Sequence, residues 1–167
     1  MESVIKEADQ TLTNLHNVFS AFKENQINKV PFKGSWSAGQ LAMHMILSNG
    51  GFAEIINGSI DETSRPADKM VERIKQDFLN FDVKMDAPED ICPALKDYDQ
   101  TRLLSKLEVI KKNITDAADQ LDLTKTCKAF ELPGYGYLTR LEAIYFIIYH
   151  TKRHTHQLKN ILMHVNA

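Results

Sequence analysis

Only two cysteines occur in the 167 residues, Cys92 and Cys127, and they do not form a CxxC spacing. A disulfide scaffold is therefore excluded, and both thiols are expected reduced and unpaired. Positive charge is not in excess either, since 20 Lys and Arg face 22 Asp and Glu for a formal net charge of -2. No summed positive field exists to draw in phosphate backbones or anionic lipid, which excludes nucleic acid as an expected partner. Long hydrophobic runs are missing as well. The most apolar stretch, Leu141 to Tyr149, is too short to span a bilayer and contains Glu142, so it is expected to be a buried helix rather than a membrane segment. The start, MESVIKEADQ, has neither the basic opening nor the apolar run of a secretory signal, which predicts a cytoplasmic location.

What is present is ordinary for a soluble globular protein, with 43% apolar and 25% charged residues. The length predicts one domain over residues 1–167, and a chain of this size buries roughly two-thirds of its unfolded surface without help from metals. A metal site here would then be functional rather than structural.

The periodicity predicts an all-α four-helix bundle with a long crossover between the second and third helices. Ile5, Ala8, Leu12, Leu15, Phe19 and Phe22 form one stripe of a first helix over roughly residues 3–25. Asn28, Pro31 and Gly34 break it. Ser37 and Gln40 spell a capping box for the second helix, with Trp36 and Leu41 at the staple positions. Between Ser37 and Ser59 the only charged residue is Glu54, so this helix is expected to be buried on most sides or to form a subunit interface. Gly50 and Gly51 predict a kink or an end within it. Residues 58–98 read as the crossover, with a short helix over Lys69 to Phe81 and with Pro88 and Pro93 forbidding a continuous one. A third long helix is expected from about Asp99 to Gln120, with Leu103, Leu107, Ile110, Ile114 and Ala117 or Ala118 inward. Leu121 to Leu138 reads as a loop or short hairpin, and Thr139 with Glu142 caps a fourth long helix reaching about Val165.

The chemistry lies in the histidines. His150 and His154 stand one turn apart at the edge of the apolar face of the fourth helix, so their rings stack along the axis and their nitrogens can converge on one ion. His156 falls on the polar face. In the second helix His44 shares its face with Gln40, Leu41, Leu47 and Ile55, and it too points inward. Three imidazoles on two packed helices make a nitrogen site with an open position, the arrangement of a catalytic rather than a structural ion. The plainer reading of any one of them is a hydrogen-bonded core histidine, but burying three unpaired imidazoles costs desolvation that a shared ion relieves.

The stretches WSAGQLAMHM, KMDAPEDICPAL, PGYGYLTRLEA and YHTKRHTHQLKNI together resemble the DinB and YfiT superfamily of metal-dependent helical-bundle enzymes, over nearly the whole chain. His44, His150, His154 and Gln157 match the family pattern of one histidine in the second helix and HxxxH followed by glutamine in the fourth. The resemblance implies a zinc or nickel ion on the three histidines, a homodimer, and a small-molecule substrate such as a low-molecular-weight thiol. Members with known activity are thiol-handling transferases and isomerases, and others are taken to be hydrolases. The turn after His44 reads SNGG, with no acidic residue before Glu54, so the sequence supplies no carboxylate general base there.

Other candidates are weaker. Gln157 either orients a ligand or touches substrate. His16 is expected to be packed or partly exposed rather than a fourth ligand. Tyr135 and Tyr137 either rim the pocket or anchor the loop, and Glu54 and Glu142 have structural readings, the latter as a cap. Neither HExxH nor Glu-x-x-His occurs, which excludes a zincin peptidase and a di-iron carboxylate bundle, and no Walker or GxGxxG loop exists. Two functions remain at this point: a metal-dependent thiol S-transferase or hydrolase, and a non-enzymatic, stress-related dimeric ligand-binding module.

Overall fold

The computed structural model describes residues 2–167. Five α-helices are seen, α1 (Glu2–Ser20), α2 (Ala38–Asn57), α3 (Val71–Leu79), α4 (Gln100–Gln120) and α5 (Arg140–Asn166). The four long ones pack as the expected bundle, with α1 and α2 each touching both α4 and α5, while the short α3 lies on α5. Two two-residue strands, β1 (Ile60–Asp61) and β2 (Thr126–Cys127), pair antiparallel and tie the crossover to the loop before α5.

Helix α1 buries Val4, Ala8, Leu12, Leu15 and Phe19. It ends five residues before the expected boundary, where a side chain of another element reaches its last turn and the residues just beyond. The Gln100 amide at the start of α4 donates to the carbonyls of Phe19 and Phe22 at 3.1 and 2.9 Å, which satisfies groups a longer helix would have bonded internally.

Helix α2 begins at the complete capping box: Gln40 N–H donates to Ser37 Oγ and Ser37 N–H to Gln40 Oε1. It does not break at the glycines but continues to Asn57. Burial of Asn49, Phe52, Ala53 and Ile56 around them outweighs the intrinsic glycine cost of about 2 kcal/mol for the pair. A Cβ at Gly50 would meet only Ile110 of α4, at an ordinary contact distance of 3.6 Å.

The crossover holds α3 and a single 3-10 turn, Glu89–Ile91, that follows Pro88. Reciprocal bonds between Asn28 and the backbone of Tyr98, both 2.9 Å, fasten its far end to the loop after α1. Helix α4 starts at Asp99, whose side chain accepts from Arg102 N–H. Thr139 and Glu142 cap α5 as expected. Cys92 is exposed and Cys127 is buried, both unpaired.

The core divides into two apolar clusters. One gathers Leu12, Phe52, Ile56, Ile114, Ile144 and Ile148, and the other Leu15, Phe19, Leu41, Met45, Leu107 and Leu158. Where α2 meets α5, buried polar side chains form a band instead, with Ser48 facing His150 at 3.3 Å and Asn49 facing Thr151 at 3.2 Å. Among the described residues no helix is long and apolar enough to cross a membrane.

Candidate metal centre

His44 on α2 and His150 and His154 on α5 meet in this polar band. His44 Nε2 lies 3.4 Å from His150 Nε2, and His154 Nε2 lies 3.0 Å from the same atom. One nitrogen from each of the three falls within 4.8 Å of the others.

The outer nitrogen of each ring has its own partner. His44 Nδ1 is 2.9 Å from the Ile91 carbonyl, His150 Nδ1 is 3.3 Å from Ser48 Oγ, and His154 Nδ1 is 2.9 Å from Gln157 Oε1. A carbonyl oxygen only accepts, so the proton of His44 and of His154 sits on Nδ1, and Ser48 can accept from His150 in the same way. With that tautomer on all three rings, every Nε2 carries a lone pair and the three lone pairs face one point. Without a cation, His150 can instead donate from Nε2 to His154 Nε2 at 3.0 Å while the Ser48 hydroxyl donates to its Nδ1. With one, the first arrangement is the usual device by which an outer acceptor fixes the tautomer and orientation of a ligand imidazole.

Burial disfavours the charged form of all three rings. Burial pushes His44 below the ordinary imidazole range, and pushes His150 well below it with the other two histidines and Arg153 adding to the effect. His154 is lowered to about 3, again chiefly by burial. Neutral, lone-pair-bearing rings are what a divalent ion needs. Two of the three spacings are near what such an ion needs: with Zn–N of about 2.0–2.1 Å in a tetrahedron, ligand nitrogens stand about 3.3 Å apart, against the 3.4 and 3.0 Å found here, and the third pair lies within 4.8 Å.

Aromatic rings wall the site. Trp36 packs on His44 at 5.0 Å, while Phe78 meets His150 edge-on at 5.6 Å and Phe146 stacks on it at 5.4 Å. His44 and His150 are 2% and 6% exposed, whereas His154 is only half-buried. Access is therefore from the His154 side.

The remaining candidates separate cleanly. Gln157 bonds His154 and so belongs to the centre. His16 is half-buried on α1 and lies outside the three-histidine group, and His156 is exposed with Phe81 stacked on it. Tyr135 donates to Asp77 at 2.6 Å and Tyr137 lies under Lys128, so both anchor the loop and neither bonds a histidine. Glu54 is exposed. Glu142 is the cap, and it also binds Arg65.

Ser48, Trp36, Phe78, Phe146 and the Ile91 carbonyl join the centre beyond the residues that the sequence singles out. Ser48 had a signal available, since it stands four residues after His44 and so on the same face. Trp36 stands at the staple position before α2, and that local role masks its contact with His44. The Ile91 carbonyl had no signal at all, because a backbone oxygen is supplied by the path of the crossover and not by a side chain.

Fold and centre together define a class: helical-bundle proteins with one three-imidazole site between two long helices. The chain belongs to the DinB superfamily, whose family model matches residues 7–158 and so spans all three histidines. No curated protein and no solved structure matches it.

Proposed function

We propose that His44, His150 and His154 hold one divalent ion, zinc or nickel, and that the chain is a metal-dependent enzyme of the thiol S-transferase or hydrolase class acting on a small molecule. The supporting observation is the convergence of three neutral Nε2 atoms, each ring held from behind by Ile91, Ser48 or Gln157. Three protein ligands leave a position open, the arrangement that distinguishes catalytic from structural zinc.

When bound, such an ion supplies Lewis acidity that brings the pKa of water down to about 7 and makes a thiol a thiolate. The chain's own contribution is to orient and to exclude water. Ser48, Gln157 and the Ile91 carbonyl keep Nδ1 protonated and the rings aimed. Trp36, Phe78 and Phe146 keep water from the buried sides, which strengthens electrostatic effects inside. Gln157 is read as a positioning residue, since its amide oxygen is engaged with His154. No carboxylate hydrogen-bonds any of the three rings among the described residues, so no acidic general base is assigned.

Metal analysis of protein bearing no polyhistidine tag is expected to find one ion per chain, lost in His154→Ala. A chain that stays metal-free after exposure to zinc and nickel overturns the proposal. Turnover of low-molecular-weight thiols with electrophiles, or of simple esters and amides, tests the catalytic half; its absence across such a panel favours the ligand-binding module. The homodimer is proposed from the family resemblance alone, because burial against α4 and α5 accounts for the charge-poor α2. Light scattering in solution decides it.

A further inference from the structure

Arg153 lies between His150 and His154 in the sequence and is half-buried. Its guanidinium donates to the Asn80 carbonyl at 2.8 Å, to the Phe78 carbonyl at 3.4 Å, and to the Val83 carbonyl. Phe78 is in the last turn of α3 and Asn80 is its C-cap, so these oxygens have no partner within the helix, and a cation complements the negative end of its dipole. The planar fork of arginine presents its donors in a fixed geometry, so it can serve several carbonyls at once.

Two consequences follow. The anchored end of α3 carries Phe78, whose ring stands edge-on to both His150 and Phe146, so Arg153 holds one wall of the centre in place. The charge itself is also left unneutralised, because among the described residues no carboxylate pairs with Arg153. The acids of the crossover segment that Arg153 bonds do not pair with it. Asp82, Asp86, Glu89 and Asp90 of the crossover are exposed to solvent, where salt screens them. Asp77 is engaged by Tyr135 and Arg73, and the neighbouring Lys152 is paired with Glu7.

Resting on the metal assignment above, we propose that Arg153 is a specificity-determining residue of the centre: it fixes the Phe78 wall and adds a permanent positive charge that favours an anionic over a neutral ligand at the open position. The favoured chemistry is a small anion such as a thiolate or carboxylate group.

The test uses the cobalt(II)-loaded protein, whose visible spectrum reports ligand exchange, with azide as the anionic probe and imidazole as the neutral one. Arg153→Gln is expected to lower the ratio of azide to imidazole affinity about tenfold, and Arg153→Lys to keep it within about threefold, since lysine retains the charge. An unchanged ratio in Arg153→Gln overturns the inference. Should that variant fail to fold, Arg153→Lys decides: a retained ratio supports the charge, and a tenfold loss despite the charge overturns it. Wild-type protein that takes up no cobalt instead overturns the metal assignment, so the two failures are distinguishable.

Discussion

Ser48 Oγ lies 3.3 Å from His150 Nδ1, so the residue one turn after one histidine of the centre orients a second histidine on the facing helix. Removing that hydroxyl leaves a buried N–H without an acceptor and frees the ring to turn. Ser48→Ala is expected to weaken zinc binding by about tenfold, the lower end of what outer hydrogen bonds contribute to metal affinity. Competition with a chromophoric chelator measures it. An unchanged affinity would mean that packing against Phe78 and Phe146 alone aims the ring.

The lowered histidines make the stability of the metal-free chain depend on pH. In the unfolded state each imidazole titrates near 6.5, whereas in the fold burial holds all three lower, His154 at about 3. Above 6.5 both states are neutral and the three contribute no slope. Below it the unfolded chain takes up protons that the fold refuses, so stability falls with acidity down to the folded values. The melting temperature of metal-free protein is expected to be flat from pH 8 to 7 and to fall by several degrees between 6.5 and 5. His150→Phe should flatten that fall, and an equal slope in wild type and variant would contradict the assignment.

How much of this was legible in the sequence can be judged residue by residue. The helices were, because Leu12, Leu15 and Phe19, or Leu103, Leu107 and Ile114, repeat at helical spacing and become buried. Both capping boxes were readable because a cap is a local arrangement of four residues. The end of α1 was not, since the side chain that reaches it, Gln100, stands some eighty positions away. Continuity of α2 through Gly50 and Gly51 was hidden for the same reason: tertiary burial overrides local propensity. His44, His150 and His154 could be chosen because helix periodicity says which way each points. Arg153 and the Ile91 carbonyl could not, because their partners come from the path of an irregular crossover.

Two glycines of α2 should respond oppositely to alanine. A Cβ on Gly39 would stand 3.1 Å from Asn28 Oδ1, 3.1 Å from Tyr98 Cβ and 3.2 Å from the Ile27 carbonyl, while Gly39 N–H already donates to that carbonyl at 2.7 Å. Backbone and a reciprocal hydrogen-bonded pair cannot yield easily. Gly39→Ala is expected to cost about 1–3 kcal/mol. A Cβ on Gly51 meets nothing within 4 Å, so Gly51→Ala should gain up to about 1 kcal/mol from helix propensity. Urea unfolding of the two variants checks the pair, and a gain at Gly39 would rule out the close approach of α2 to the Tyr98 segment.

Glu142 joins the crossover to the start of α5. Its fully buried carboxylate accepts from Arg65 at 2.6 and 2.7 Å, from Met70 N–H at 2.8 Å and from Thr139 N–H at 2.9 Å. All four donors lose their acceptor in Glu142→Ala, and a partly buried guanidinium is left unpaired, so the expected cost is about 3–5 kcal/mol. Thr139→Ala removes the other half of the capping box together with the hydroxyl's bond to the Ala67 carbonyl at 2.6 Å, and should cost about 1–2 kcal/mol. Because His150 lies eight residues further on, about 12 Å along the helix, zinc affinity in native buffer should change little in either variant. An Arg65→Met, Glu142→Leu double variant separates charge from hydrogen bonding. It removes both ions together and so should be more stable than Glu142→Ala, yet it stays below wild type because the N–H groups of Met70 and Thr139 remain buried without an acceptor. Full recovery would show that those two bonds contribute nothing. A parallel loss of zinc affinity would instead make this junction part of what positions the histidines.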